Sequence, residues 1–292
     1  MSVRRLAASL AVTLAASACS LQLPGTEPRI SPDAVVGAES GGTLRVGLVR
    51  PAGVDPLDAY EPGAQLISSL VCEPLVNVDP VTGELKAGLA KKVQVAGDGT
   101  TVTIELPRDL ATHDGGRLQA DDLLTSFSRL ASPANASRVR SLLQPVQGYD
   151  EVAGDLLAKG EERLTGVVAL NDLSVQIMLT LKDPGFLARL AHPALAPVSS
   201  DAVALDPRGF RDKPVCAGPY KMVDSFDPSA RTLTIERFQE YGGTNPNFTA
   251  GGRGYADKIQ FHFFGDFAAA RRSWDAKRVD VLSVPGSQVG LF

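Results

Sequence analysis

The chain has few of the residues from which metal centres are built. Only three histidines and three cysteines occur among its 292 residues. His113, His192 and His262 are far apart in sequence, and His262 lies in a stretch typical of a strand. Isolated histidines of this kind are more often packed than bound to zinc. We therefore predict no metal site and no cofactor.

Strong charge and long apolar runs are also missing. The net charge is -4 and no basic cluster is present, so nothing in the sequence favours binding to nucleic acid. After the N-terminus, no segment approaches the roughly 20 apolar residues of a membrane helix. The 44% hydrophobic content is typical of a globular protein, and the chain is long enough for two lobes.

The N-terminus carries an export signal. Arg4 and Arg5 precede an apolar run at residues 6–16, which is too short to span a bilayer as a helix. Small residues follow the run and end at Cys19. This pattern is typical of a secretory signal, and we predict that residues 1–18 are a signal peptide.

Ala16-Ser17-Ala18-Cys19 resembles the lipobox of bacterial lipoproteins, although those proteins usually have Leu where this chain has Ala16. We therefore predict a lipid on Cys19 that anchors the exported protein to the outer face of the cell membrane, in the periplasm or at the cell surface. The alternative is ordinary cleavage after Ala18 and secretion with a free Cys19. Residues 19–40 are rich in Pro, Gly and Ser and are predicted to form a flexible tether.

Export also changes the chemistry expected of Cys72 and Cys216, because thiols outside the cytosol tend to form disulfides. We predict that these two cysteines pair. A thiol-imidazole pair of Cys216 with His113 or His192 is the catalytic alternative. His113 lies in a turn, His192 precedes a proline, and no Gly-rich elbow adjoins Cys216, so we predict no catalytic residue and no enzyme.

The hydrophobic pattern predicts alternating strands and helices. Residues 43–48 alternate as a strand, and residues 63–72 have apolar side chains at helical spacing. The loop Tyr60-Glu61-Pro62-Gly63 would then lie where a strand leads into a helix, a common place for ligand contact. Further predicted elements are a hairpin at 92–96 and 101–106, a helix at 120–130, a strand at 174–181 and a short helix at 186–190.

Seven short segments occur in an order that resembles the family 5 extracellular solute-binding proteins, the oligopeptide and dipeptide receptors of ABC importers. The resemblance covers nearly everything from Gly41 to Pro285. The segments are residues 41–46, 72–76, 98–101, 113–115, 187–193, 217–220 and 279–282.

The resemblance implies an α/β fold of the type II periplasmic-binding-protein class, in which two lobes close over a ligand. The first lobe is expected at 41–76 and 182–284, with an inserted small α+β domain at 77–181. Residues 285–292 would begin the crossing to a second lobe, which we expect to be absent from this chain. A receptor with one lobe is expected to bind ligand weakly or not at all.

The resemblance also implies a function, that of a monomeric lipoprotein that captures peptides and delivers them to ABC permease subunits. Nickel chelates and oligosaccharides are other ligands within the family. A surface lipoprotein that binds a protein or envelope component and transports nothing is the alternative.

Two segments are expected to contact the ligand through their main chain. They are Tyr60, Glu61, Pro62 and Gly63 in the first loop, and Cys216, Ala217 and Gly218 at a strand edge. Tyr60 as a packed surface aromatic and Ala217-Gly218 as a tight turn are the alternatives.

Overall fold

The computed structural model describes residues 40–79, 82–154, 163–242 and 254–291. These residues lie in one compact unit. The predicted signal peptide, the lipidation site Cys19 and residues 19–39 of the predicted tether lie outside the described residues.

A five-stranded mixed sheet forms one half of the structure, with the strand order β11-β1-β10-β9-β8. β1 pairs in parallel with β10 and β11, whereas β9 pairs antiparallel with β10 and β8. The strand predicted at 43–48 is confirmed as β1. The strands are β1 (Thr43–Val49), β8 (Tyr220–Met222), β9 (Thr232–Arg237), β10 (Lys258–Phe264) and β11 (Val281–Leu282).

Two helices pack against this sheet. The helix predicted at 63–72 is confirmed as α1 (Pro62–Val71). α1 buries Ile67 and Val71 in a core with Leu48 and Phe261 of the sheet, as the alternation of side chains along a strand predicts. α7 (Phe267–Asp275) packs against β1, β10 and β11.

A four-stranded antiparallel sheet, with the order β4-β5-β7-β6, forms the other half. The predicted hairpin is confirmed as β4 (Lys92–Val95) and β5 (Thr101–Glu105). Its partners are β6 (Val167–Asn171) and β7 (Ser174–Met178). The helix predicted at 120–130 is α2 (Ala120–Ala131), which begins with a capping box of Gln119 and Asp122. Its Leu123 and Phe127 share a second core with Ile104 of β5.

Short elements complete the described part of the chain. β2 (Val76–Val78) and β3 (Leu85–Ala87) pair with each other. The short helix predicted near residue 186 is α4. The short helices are α3 (Tyr149–Gly154), α4 (Phe186–Arg189), α5 (Ser200–Leu205) and α6 (Gly209–Asp212). In the described ranges, no helix has the length and apolarity needed to cross a membrane.

The prediction of a strand as far as residue 181 was wrong. β7 ends at Met178, and Leu179 makes only an isolated bridge with Val146. Leu181 is 77% exposed. The Thr180 N–H donates to the Pro145 carbonyl rather than to a neighbouring strand. The alternation of apolar residues therefore continues in the sequence beyond the last residue of β7 that pairs with another strand.

The two sheets draw their strands from different parts of the chain. All five strands of the mixed sheet lie within 43–49 and 220–282, and those of the antiparallel sheet lie within 92–178. The domain boundaries at residues 76, 181 and 284 stay predictions.

Candidate functional site

The loop between β1 and α1 lies at the carboxyl ends of the parallel strands, where α/β folds commonly bind ligands. It contains a single 3-10 turn, Pro56–Asp58. Asp55 caps this turn, since its Oδ1 accepts the Leu57 N–H at 3.0 Å. A side chain at Gly53 would place Cβ 2.2 Å from Asp58 Oδ2, so the close approach of the two residues requires glycine.

Two ion pairs tie this loop to the rest of the structure. Arg129 of α2 binds Asp55 at 2.7 Å, and both side chains are buried. Arg211 of α6 binds Asp58 at 3.1 Å in a more exposed position. Burial raises the pKa of Asp58, and the Arg211 charge partly opposes this rise. The loop is therefore anchored to both neighbouring helices.

Tyr60 and Glu61 lie half-buried at the end of the loop. The guanidinium carbon of Arg138 lies over the face of the Tyr60 ring, 4.5 Å from its centre. Glu61 is the N-cap residue of α1, and its Oε2 accepts the Ala52 N–H at 3.2 Å. Desolvation and then the Glu61 carboxylate raise the pKa of Tyr60.

The next two residues begin α1. Pro62 is exposed in the first turn, whereas Gly63 is buried, and a Cβ on Gly63 would come within 2.9 Å of the Leu48 side chain. The predicted segment therefore divides: Tyr60, Glu61 and Pro62 reach the surface, and Gly63 packs on β1.

Three more residues extend this surface, and sequence reasoning did not assign them to it. Gln65 Nε2 donates to the Ala59 carbonyl at 3.3 Å and lies 3.4 Å from His192 Nε2. His192 Nδ1 accepts the Ala194 N–H at 3.1 Å, which leaves the ring proton of the neutral imidazole on Nε2. Burial lowers the pKa of His192. The polar patch that we call the Tyr60 surface comprises the half-buried residues Tyr60, Glu61, Gln65 and His192 and the exposed Arg138.

Cys216, Ala217 and Gly218 lie elsewhere. All three are buried, and a Cβ on Gly218 would be 2.1 Å from the Val71 carbonyl oxygen, at the end of α1 opposite Gly63. Eight residues of helix separate the two ends by about 12 Å, so the structure does not bring the two predicted segments together. Ligand contact at Cys216–Gly218 stays a prediction, and burial argues against direct contact with these side chains.

The predicted pairing of the cysteines is present, because Cys72 and Cys216 form a disulfide with Cα atoms 5.0 Å apart. Both cysteines are fully buried. The bond joins the C-cap residue of α1 to the segment that precedes β8. A cysteine in a disulfide has no thiolate, so Cys216 cannot act as a nucleophile in this state.

His113 fixes the turn beside the disulfide. The backbone N–H of His113 donates to the Cys216 carbonyl at 3.0 Å. The ring Nε2 lies 3.3 Å from the Gly218 carbonyl oxygen. Phe238 makes an edge-on contact with the ring at 5.0 Å. Nδ1 is buried without a hydrogen-bond partner in the described ranges. Burial is the main cause that lowers the pKa of His113 to about 4, and nearby Lys221 adds to it.

This environment predicts a pH dependence of stability. Between pH 6.5 and about 4, His113 is protonated in the unfolded chain and neutral in the folded chain. The contribution of His113 to the free energy of unfolding is therefore complete above pH 6.5 and is lost as the pH falls towards 4. Urea unfolding at pH 7.5 and 4.5 is expected to show a loss of about 2–3 kcal/mol from this residue. In His113→Gln the free energy of unfolding should fall by a correspondingly smaller amount between these two pH values. Equal decreases in both proteins would contradict the prediction.

An apolar cavity of about 540 Å³ lies at the opposite, amino end of the parallel strands. It is bordered by Leu44 of β1, Ile259 of β10 and Leu66 and Leu70 of α1. The hydroxyl of Tyr220, which also borders it, already donates to the Ala256 carbonyl. The cavity lies between α1 and the parallel strands of the mixed sheet, and its apolar lining offers little to orient a polar ligand.

Across the described ranges, no three His, Cys, Asp or Glu side chains lie close enough to hold a metal ion.

Comparison with known families identifies the family of this chain. Residues 84–291 match the model of the bacterial extracellular solute-binding proteins, family 5. The chain belongs to this family. Among curated family 5 relatives, the dipeptide-binding protein of Lactococcus lactis is 28% identical over 187 residues, which are 62% of this chain and 32% of that protein. The glutathione-binding protein GsiB of Escherichia coli K12 is 29% identical over 171 residues, 58% of this chain and 29% of that one.

Solved structures of the same fold show the wider match. OppA of Burkholderia pseudomallei superposes with a TM-score of 0.71 at 21% identity, over 87% of this chain and 48% of that chain. OppA of Haemophilus influenzae, in complex with RPPGFSPFR, also gives 0.71 at 21% identity, over 85% and 47%. The predicted α/β fold of the periplasmic-binding-protein class is confirmed. The chain spans about a third of the curated relatives and half of the solved ones, a length consistent with one lobe.

Proposed function

We propose that this family 5 chain takes part in capturing peptides outside the cytoplasm and in delivering them to the permease of an ABC importer. A lipid on Cys19 would hold it at the membrane. The relatives support the ligand class, because their names and titles specify a dipeptide, glutathione and the peptide RPPGFSPFR.

The Tyr60 surface is the single observation that carries the proposal. It joins an aromatic ring to hydrogen-bonding side chains at the carboxyl edge of the sheet. In the part of the chain that the structure describes, the Glu61 N–H and the Tyr60 carbonyl make no hydrogen bond. Extended peptides are commonly recognised through such free main-chain groups, and open polar surface tolerates varied side chains through bridging water.

The test is a titration of the purified chain with tri-alanine, followed by NMR. Because the surface is open rather than enclosed, we expect a Kd on the order of 1 mM. Removal of the Tyr60 ring in Tyr60→Ala should weaken binding about fivefold or more, since aromatic anchors dominate such contacts.

Tyr255→Ala is the matched control, because Tyr255 borders the apolar cavity instead and its loss should leave the affinity unchanged. No binding up to 10 mM, on the order of ten times the expected Kd, would contradict the proposal. So would an affinity that falls with Tyr255→Ala and not with Tyr60→Ala.

A further inference from the structure

We propose that Arg138 forms a carboxylate-binding subsite of the Tyr60 surface and thereby favours peptides that carry a free carboxylate. This inference rests on the proposed function, since it specifies the ligand chemistry of that same surface.

Three arginines approach the loop between β1 and α1, and they are used differently. Arg129 is neutralised by Asp55, and Arg211 by Asp58. Arg138 reaches the same loop at Tyr60, where it meets an aromatic ring. The Arg138 side chain is exposed, and within the described ranges it forms no ion pair with a carboxylate. Its positive charge is therefore available to a ligand.

The segment that carries Arg138 is fixed to the loop that carries Tyr60. The buried Ser137 Oγ donates to the Leu57 carbonyl at 2.7 Å. Asn135 Nδ2 donates to the Arg129 carbonyl at 2.9 Å. The first bond joins the two segments and the second holds Asn135 to the end of α2, so the backbone that carries Arg138 is held beside the loop that carries Tyr60.

The cation-π contact with Tyr60 prepares the guanidinium for an anion. A planar guanidinium over an aromatic face keeps its N–H groups at its edge, where two of them can bind both oxygens of one carboxylate. The contact with the ring also reduces the rotamer freedom that binding would otherwise remove. A lysine at this position would keep the charge and lose the paired geometry.

The other charged groups of the surface do not cancel this charge. Glu61 and Asp58 are the carboxylates that act on Tyr60. Glu61 is engaged by the Ala52 N–H and by Tyr60, and Asp58 is paired with Arg211. Arg140 follows two residues after Arg138, and the two arginines line one open pocket. Burial lowers the pKa of His192, so the ring is neutral near pH 7. The balance at this end of the surface is therefore positive.

A ligand carboxylate can be the C-terminus of a peptide or an acidic side chain, and three probes separate these sources. Tri-alanine has a free C-terminus, its C-terminal amide has no carboxylate, and Ala-Glu-Ala amide has only the side-chain carboxylate. We expect at least one carboxylate-bearing peptide to bind about tenfold more tightly than tri-alanine amide, as for a hydrogen bond to a charged group. The probe that binds more tightly identifies the source.

The same titrations are repeated with three variants. Arg138→Gln should remove the preference for carboxylate, and Arg138→Lys should keep only part of it. Arg272→Gln makes the same change in charge at the exposed surface of α7 and should leave the preference intact.

Equal affinities for all three peptides would overturn the inference, as would a preference that survives in Arg138→Gln. In either case binding that still depends on Tyr60 would leave the proposed function standing. If none of the three peptides binds, the proposed function itself fails and the inference fails with it.

Discussion

Asp55→Asn is expected to lower the free energy of unfolding by about 3–5 kcal/mol, the usual cost of breaking a buried ion pair. The substitution keeps the shape of the side chain and removes its charge. It therefore leaves the buried Arg129 guanidinium without its ion-pair partner, over the face of Phe210 at 4.7 Å and with Asp58 as the remaining nearby carboxylate. Urea unfolding at pH 7 measures the change.

Arg211→Met is the matched control, because it breaks the more exposed pair with Asp58 in the same loop. Exposed pairs contribute about 0–1 kcal/mol, so its cost should be several times smaller. The double variant Asp55→Leu with Arg129→Met should recover much of the lost stability, since apolar replacement of a buried pair is often neutral. Similar losses for Asp55→Asn and Arg211→Met would contradict this account of the loop.

Removal of the disulfide is expected to have the second large effect. Cys72 and Cys216 are 144 residues apart in sequence, and closing so long a loop stabilises the folded state by about 5 kcal/mol at most in the chain-entropy model. Strain and residual structure in the unfolded chain reduce this value, so we expect the variant with both cysteines changed to Ala to lose about 2–5 kcal/mol.

The control measures the stability of the unmodified protein and of the double variant in the presence of a reductant. Dithiothreitol should destabilise the unmodified protein to about the level of the double variant and should leave the double variant unchanged. Two free thiols in the exported, folded protein, found by mass spectrometry under non-reducing conditions, would rule the bond out. A loss below about 1 kcal/mol would contradict the chain-entropy explanation.

Elements with strong local patterns were predictable from the sequence. The alternation of Leu44, Val46 and Leu48 identified β1, and the helical spacing of Leu66, Ile67 and Leu70 identified α1. Leu181 shows the limit of this signal, because alternation reports which side chains could share a face and not where a partner strand ends. That boundary depends on Pro145, which lies far away in the sequence.

The candidate site was only partly predictable. The position of Tyr60 follows from the order of strand, loop and helix. The contacts of Arg138 with Tyr60 and of His192 with Gln65 are tertiary, and no local pattern predicts them. The close packing of α1 against Gly218 is also tertiary, since the Val71 carbonyl leaves no room for a side chain at this glycine. The disulfide between Cys72 and Cys216, in contrast, was predictable from the export signal, because thiols outside the cytosol tend to pair.

The anchoring of the loop connects stability with the proposed function. The ion pair of Asp55 and the hydrogen bond from Ser137 hold the two segments that present Tyr60 and Arg138. A binding surface that is held before the ligand arrives loses less conformational freedom on binding. Asp55→Asn is therefore expected to disturb the Tyr60 surface as well as the fold.

The central claim is that ligand binds at the Tyr60 surface. A map of backbone amide shifts on saturation with tri-alanine tests it most directly. We predict that the largest shifts fall at Glu61, Gln65, Arg138 and His192. Shifts confined to Leu44, Leu66 and the other residues of the apolar cavity, or the absence of any shift, would contradict the claim.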